Sequence, residues 1–253
     1  MTTIGVIYKK EDSLIAGTAQ QVIKELKKMG YRIGLSRAKF CLSFGGDGTI
    51  LRAARILAKS KTPILGVHLG GLGFLSEVEL HELNEALEQI KKGRFKIEER
   101  TMIEALVGGK RLAALNDIVI SNSGIARVIR LEIKGLSEYV SDGIIFSTAT
   151  GSTAYNLSAG GPLLTPDSES MVISAICPHS ISTRPIVLEK PVTAVLNRGK
   201  NAILTADGQQ LVQLHERQKI RIQKSKLKTR FIRLKGYDFF KRVKEAFGFG
   251  PQA

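Results

Sequence analysis

Cysteine, histidine and long apolar runs are all scarce in this chain, and each shortage narrows what it can be. Only two cysteines occur, Cys41 and Cys177. Both sit in apolar, strand-like runs, so packed thiols are expected rather than a disulfide. The four histidines are scattered, and no pair of ligands has the spacing of a zinc site. No apolar stretch approaches the length of a membrane span, and the N-terminus runs directly into a strand pattern with no leader visible. Internal repeats and low-complexity segments are also missing. A cytoplasmic globular protein is expected.

Acidic side chains are in deficit as well: 23 against 38 basic ones, a net charge of +15. A field of that sign draws polyanions such as nucleotides, polyphosphate or nucleic acid. A solvated lysine-rich surface explains the same charge without any partner. The basic segment Arg217 to Lys235 is the natural place for nucleic acid, yet it reads as strand with outward lysines and has few aromatics for stacking bases.

What the chain does have is one short run, Phe44-Gly45-Gly46-Asp47-Gly48-Thr49. It follows the buried-looking strand 40–44 and opens into a helix over Ile50 to Lys59, with Ile50, Leu51, Ala54, Leu57 and Ala58 on one face. Three glycines at a strand-to-helix turn leave backbone N–H groups uncovered, a cradle for phosphate oxygens. A lone Asp among phosphates is electrostatically costly unless it holds Mg²⁺ or takes a proton from an attacking hydroxyl. An ordinary tight turn with a helix cap accounts for the same residues without chemistry.

Around this run, strands at Thr3–Tyr8, 31–35, 39–44 and 63–68 alternate with helices bearing Ile15, Ala19, Val22, Ile23 and Leu26, and then Leu80, Leu83, Ala86, Leu87 and Ile90. That alternation predicts a parallel sheet with helices on both faces. A second glycine turn, Leu69-Gly70-Gly71-Leu72-Gly73-Phe74, follows the strand 63–68. Both glycine turns then fall at the carboxyl ends of strands, where ligands of such sheets gather. From about Arg100 to Arg233 the pattern changes to short strands and turns, Val128 to Lys134 and Lys219 to Gln223 being the clearest alternations. A mostly antiparallel all-β domain is expected there, followed by a helix over Asp238 to Phe247. The domain boundaries are placed at 1–98, 99–233 and 234–253, the last a helical tail packing back on the first domain.

The β region contains a second chemical stretch, from Asp142-Gly143 through Ser147-Thr148-Ala149-Thr150-Gly151-Ser152-Thr153-Ala154-Tyr155-Asn156-Leu157-Ser158 to Gly160-Gly161-Pro162. Small hydroxyls and exposed backbone admit a planar polar ligand, and Tyr155 could cover a purine ring. Helix capping with Tyr155 in the core is the alternative. Asn116-Asp117 offers an amide and a carboxylate for a ribose diol, or simply a turn before a strand.

In this order, these motifs resemble the NAD kinase family over essentially the whole chain. The Thr-Gly-Ser-Thr-Ala-Tyr run is specific to that family, whereas Gly-Gly-Asp-Gly-Thr is shared with lipid kinases and phosphofructokinases. A lipid kinase is disfavoured because no membrane-facing amphipathic segment is present.

The resemblance implies Mg²⁺-dependent phosphoryl transfer from ATP or polyphosphate to the 2′-hydroxyl of the adenosine ribose of NAD, giving NADP. It makes Asp47 the general base, with Gly48 beside it on the dinucleotide. It sets Gly45, Gly46 and Thr49 at the donor phosphates and Arg52 near the NAD phosphates. It places Phe74, Asn116, Asp117, Arg127 and Gln209 at NAD, and makes Thr150, Thr153, Ala154, Tyr155, Asn156, Leu157 and Ser158 the adenine and nicotinamide-ribose pocket. It sends Asp142 to the nicotinamide end across a subunit contact of a homodimer or homotetramer. No fixed protein site for a metal is implied, Mg²⁺ travelling with the donor phosphates, and no nucleic-acid or membrane partner is expected. Two positions depart from the pattern: Asp117, where Glu is frequent, and Ala149, where Pro is usual. An NAD-binding sensor without turnover is the rival within this resemblance, and the intact Asp47 argues against it.

Overall fold

The computed structural model describes residues 1–71, 73–124, 128–234 and 238–248. The chain divides into two compact units, residues 1–99 with 229–253, and residues 100–228.

The first unit opens with β1 (Thr3–Tyr8), α1 (Ser13–Lys28), β2 (Arg32–Ile33), β3 (Phe40–Phe44), α2 (Asp47–Leu57), β4 (Ile64–His68), β5 (Val78–Glu79) and α3 (Leu83–Lys91). Strands β2, β1, β3, β4 and β5 lie side by side in that order, all parallel. Successive side chains of a strand face opposite ways, and here both sides are covered. Ile4, Phe40, Leu42, Phe44, Leu65 and Val67 form one core with Ala19, Val22 and Leu26 of α1 and Leu83, Ala86, Leu87 and Ile90 of α3. The intervening strand positions turn the other way: a Cβ at Gly66 would come within 2.6 Å of the Ile50 side chain of α2. Helices therefore occupy both faces, and β3 and β4 are buried at every residue. This is the expected α/β layer.

One boundary differs from the expected one. Helix α2 starts at Asp47, not Ile50, because Gly46 already has the extended backbone of an N-cap (φ −79°, ψ −175°). Asp47, Gly48 and Thr49 thus form the first helical turn.

The second unit begins within β6 (Lys96–Val107) and continues through β7 (Lys110–Ala114), β8 (Asp117–Asn122), β9 (Ile129–Ile133), β10 (Ser137–Ser141) and β11 (Gly143–Ser147). After a short helix α4 (Tyr155–Ser158) come β12 (Met171–Ile176), β13 (Ile186–Leu188), β14 (Val192–Arg198), β15 (Ala202–Ala206), β16 (Gln210–Gln213) and β17 (Lys219–Arg233). Strands β13-β12-β11-β8-β15-β16 form one sheet, antiparallel throughout. Strands β10-β9-β14-β17 form a second antiparallel run. Ile118, Ile120, Ile144, Phe146, Ile173 and Leu204 of the former pack in one cluster with Ile129, Leu131, Ile133, Leu196, Ile220 and Ile222 of the latter. The period-2 alternation read in 128–134 and 219–223 is the imprint of this core.

Strand β17 runs back into the first unit, where Phe231 pairs with Ile64 of β4 in parallel. The chain then forms α5 (Phe239–Phe247), started by Asp238, whose carboxylate accepts the N–H groups of Phe240 and Lys241.

Cys41 is buried, and burial pushes its thiol up to about 12. Cys177 is not the packed thiol expected: β12 ends at Ile176, and Cys177 lies exposed in the bend before Pro178, at φ 46°. No helix among the described residues is long and apolar enough to cross a membrane.

Candidate active site

At the carboxyl edge of the parallel sheet, β3 and β4 end side by side, Phe44 pairing with Val67. The first glycine turn leaves β3 at Gly45, whose N–H donates to Val67 O (3.1 Å). Its φ of +132° is one that side-chain-bearing residues rarely adopt. Among the described residues, a Cβ at Gly46, Gly48, Gly70 or Gly71 would meet nothing within 4 Å. No side chain caps the N-terminus of α2. Thr49 and Arg52 follow on that helix, both half-buried.

The second glycine turn is fastened where it leaves and where it ends. His68 Nδ1 donates to Gly70 O (2.7 Å), and Gly73 N–H donates to Ser76 Oγ (3.1 Å). The two turns meet at one side chain. Asp47 accepts Phe74 N–H on Oδ2 (3.0 Å) and Leu75 N–H on Oδ1 (3.1 Å). Both oxygens keep lone pairs for a further donor. Gly73 permits this approach, since a Cβ there would overlap the carboxylate, at 2.8 Å from its Cγ.

Two arginines from the end of the chain grip the same turn from behind. Arg233 is buried beside Glu77 and Glu98, donating to Glu77 Oε2 (2.8 Å) and Leu75 O (3.4 Å). Arg242 of α5 donates to Gly73 O (2.7 Å), and Phe247 stacks on Phe74 with ring centroids 5.3 Å apart. A cavity of about 240 Å³ lies here, lined by Gly73, Phe74, Arg242, Glu245 and Ala246. Neither arginine stood among the sequence candidates, because nothing local in Leu-Lys-Gly-Tyr-Asp-Phe-Phe-Lys-Arg marks a contact with residue 73.

In the second unit, one end of the six-stranded sheet gathers the start of β8, the end of β11 and the β15–β16 hairpin. Asp117 pairs with Ser147, and Ala206 with Ile118. Asp207 and Gly208 form the hairpin turn at φ 52° and 62°, the positive values that a type I′ turn requires. The Asp207 carboxylate then accepts three backbone N–H groups, from Leu115 (2.9 Å), Asn116 (2.7 Å) and Asp117 (3.2 Å). Thr148 ties the other side, its N–H donating to Asn116 O (2.9 Å) and its hydroxyl to Leu115 O (2.5 Å). Gly151 is glycine because a Cβ there would strike the Asn116 backbone.

Asp117 is buried against this network, and burial, reinforced by the charge of Asp207, raises its carboxyl to about 7. Asn116 Oδ1 is buried and has no hydrogen-bond partner among the described residues. Gln209 is exposed beside the hairpin turn.

Tyr155 is 46% exposed, which excludes the core-packing alternative for that ring. Its hydroxyl pKa is raised, first by burial and then by its electrostatic neighbours Cys177, Asp117 and Asp142. Thr150 is buried, its hydroxyl accepting from the equally buried Arg100 (3.2 Å), a partner the sequence did not reveal. Thr153 donates to Thr150 O (3.2 Å); Ala154 and Leu157 are half-buried and Ser158 exposed.

Asn156 is turned inward. It is fully buried, its amide donating to Ser152 O and Pro162 O (3.3 and 3.1 Å) and accepting from Ser174 Oγ (2.8 Å). Its side chain thereby braces the turn, and Gly161 leaves the room it needs. Asp142 lies at the opposite end of β11 from Ser147, about 16 Å along the strand, and its charge reaches Tyr155. Arg127 lies outside the described residues.

The sequence matches the family models for the ATP-NAD kinase N-terminal domain over residues 6–95 and the ATP-NAD kinase C-terminal domain over residues 115–234. It is 38% identical to a NAD kinase of Moorella thermoacetica, covering 97% of this chain and 89% of that protein. It is 43% identical to one from Clostridium botulinum strain Kyoto, covering 78% and 74% respectively. Among solved structures, an Archaeoglobus fulgidus NAD kinase in complex with ATP superposes with a TM-score of 0.76 at 28% identity, over 98% of each chain. A yeast NADH kinase complexed with NADH shares the fold at a TM-score of 0.88 and 22% identity, over 100% of this chain and 89% of that one.

Proposed function

The chain belongs to the NAD kinase family, and we propose that it transfers a phosphoryl group from ATP or polyphosphate to the 2′-hydroxyl of the adenosine ribose of NAD, giving NADP. The observation that carries this reading is the Asp47 carboxylate, fastened to Phe74 and Leu75 N–H beside two glycine turns.

In this mechanism Asp47 accepts the hydroxyl proton as the ribose oxygen attacks the terminal phosphorus. The new P–O bond forms as the bond to the bridging oxygen breaks, and ADP or a shortened polyphosphate departs. The two backbone donors fix the carboxylate with its remaining lone pairs directed outward, which supplies the positioning that phosphoryl transfer needs most. Gly46 and the Thr49 hydroxyl, at the start of α2, receive the donor phosphates, with Gly45 shaping the turn that presents them. The space at Gly46 supports this, since among the described residues nothing lies within 4 Å of a Cβ built there.

Among the described residues, no three acidic or histidine groups cluster as a metal cage. Mg²⁺ would be carried on the donor phosphates, with the Asp47 carboxylate beside the glycine turns able to contribute. When bound there, the ion supplies neutralisation of phosphate charge.

Asn116 and Asp117 grip the acceptor ribose, and Asn116 Oδ1, buried and without a partner among the described residues, is supplied with a donor by a sugar hydroxyl. Tyr155 covers one face of a base, with Thr150, Thr153, Ala154, Leu157 and Ser158 around it. Arg52 and Arg127 meet the NAD phosphates, and Gln209 completes the pocket. Asp142, at the other end of β11 from Ser147, serves the nicotinamide end of a dinucleotide on a neighbouring subunit of a dimer or tetramer. A cytoplasmic location belongs to the same reading.

The test is NADP formation by the full-length protein from NAD with Mg²⁺, ATP and polyphosphate being supplied separately. Turnover with either donor supports the proposal and names the donor. No turnover with both, despite NAD binding, contradicts it.

A further inference from the structure

We propose that Arg242, in the C-terminal helix, is a positioning residue for Asp47, acting through the single peptide unit that joins Gly73 to Phe74. This rests on the reading of Asp47 as the base.

The C=O of Gly73 and the N–H of Phe74 belong to the same rigid amide plane. Its carbonyl accepts the Arg242 guanidinium at 2.7 Å, and its N–H donates to Asp47 Oδ2 at 3.0 Å. A cation at the carbonyl end polarises the amide, and hydrogen bonds in such a chain strengthen one another. The guanidinium thus fixes the plane and strengthens its grip on the carboxylate. The amide has little freedom to find another orientation. Gly73 N–H is held by Ser76 Oγ, Leu75 N–H by Asp47 Oδ1, and the Phe74 ring is stacked under Phe247 of the same α5 helix.

Helix α5 itself has little core to recommend it. Val243 is its one buried residue, whereas Phe240 is 70% exposed. Arg242 and Phe247 join it to residues 73 and 74, beside a cavity of about 240 Å³.

The experiment compares Arg242→Ala, Arg242→Gln and Arg242→Lys in otherwise wild-type protein and in Asp47→Asn. Losing a charge-assisted bond that orients the base lowers kcat by about tenfold for Arg242→Ala, with KM for NAD little changed. Lys, which keeps the charge, retains more kcat than Gln, which keeps only an N–H donor. In Asp47→Asn protein, Arg242→Ala causes no further loss, because the carboxylate it orients is gone. Millimolar guanidinium, entering the vacated space beside the cavity, restores part of the Arg242→Ala activity.

An unchanged kcat for Arg242→Ala, or the same fold loss in the Asp47→Asn background, overturns the proposal. If Arg242→Ala fails to fold, the ranking of Lys over Gln decides it, and equal activities overturn it. Should Asp47→Asn turn over at the wild-type rate, the base assignment itself fails, an outcome distinct from any Arg242 result.

Discussion

The carboxylate of Asp47 accepts the backbone N–H of Phe74, a residue 27 positions further along the chain, at 3.0 Å. Two glycine turns on adjacent parallel strands are thereby tied together at one acidic group. That link accounts for Gly73, which must remain glycine for the carboxylate to sit where it does.

A methyl group at position 73 displaces Asp47 without touching the hydrophobic core. Gly73→Ala is expected to fold with an unchanged far-UV spectrum and a Tm near wild type. Its kcat falls at least tenfold, since small misplacements of a catalytic group are costly. Steady-state kinetics beside thermal melts check this pairing.

Position 151 has the opposite character. A Cβ on Gly151 would lie 2.7 Å from Asn116 Cα, and backbone cannot yield as a side-chain tip can. Gly151→Ala is expected to destabilise the protein by about 1–3 kcal/mol and to weaken NAD binding, as the Asn116–Thr148 link is pushed apart. Urea unfolding and NAD titration measure the two effects.

Asp117 makes stability depend on pH. Burial raises its native carboxyl from the ordinary 3.8 to about 7, so between those values the folded protein holds a proton the unfolded chain has released. Stability from this group is greatest below 3.8, falls as pH rises towards 7, and is flat above it. Asp117→Asn is expected to remove that slope and to raise stability at pH 8 by up to a few kcal/mol. Below pH 7 the carboxyl can also donate a hydrogen bond, which the carboxylate cannot. NAD affinity in the wild type therefore changes near pH 7, and in the Asn variant it does not. Denaturation and binding across pH 5–9 check both.

The Arg233–Glu77 pair is buried on both sides, at 6% and 4% side-chain exposure. Removing one partner of such a pair strands the other charge, so Arg233→Met is expected to cost about 3–5 kcal/mol. It should also loosen the turn through Leu75 O. Thermal melts and hydrogen exchange at Leu75 report the two consequences.

The α/β layer was legible because β1, β3 and β4 are covered on both faces, which leaves nearly continuous apolar runs between helical periodicities. The antiparallel β unit was legible from alternation in β9 and β17, and the glycine turns from their place after strands. The start of α2 was misjudged because the apolar face begins at Ile50, whereas the backbone becomes helical at Asp47.

What stayed hidden depends on contacts far apart in sequence. Asp207 holds residues 115–117 from 90 positions away, and Arg100 reaches Thr150 across 50. Asn156 reads like its neighbours in a polar run, yet Ser174 and Pro162 turn it inward. The Asp-Gly turn at 207–208 was the one local signal of the first of these, since that turn places the Asp207 side chain.

The most direct measurement is turnover of Asp47→Asn with NAD, Mg²⁺ and the preferred donor, beside NAD affinity of the same variant. Asn keeps the size of the side chain and one acceptor oxygen but cannot take the proton. The account predicts a fall in kcat of about 10²–10⁴-fold with NAD affinity largely retained. Wild-type turnover in Asp47→Asn would contradict it.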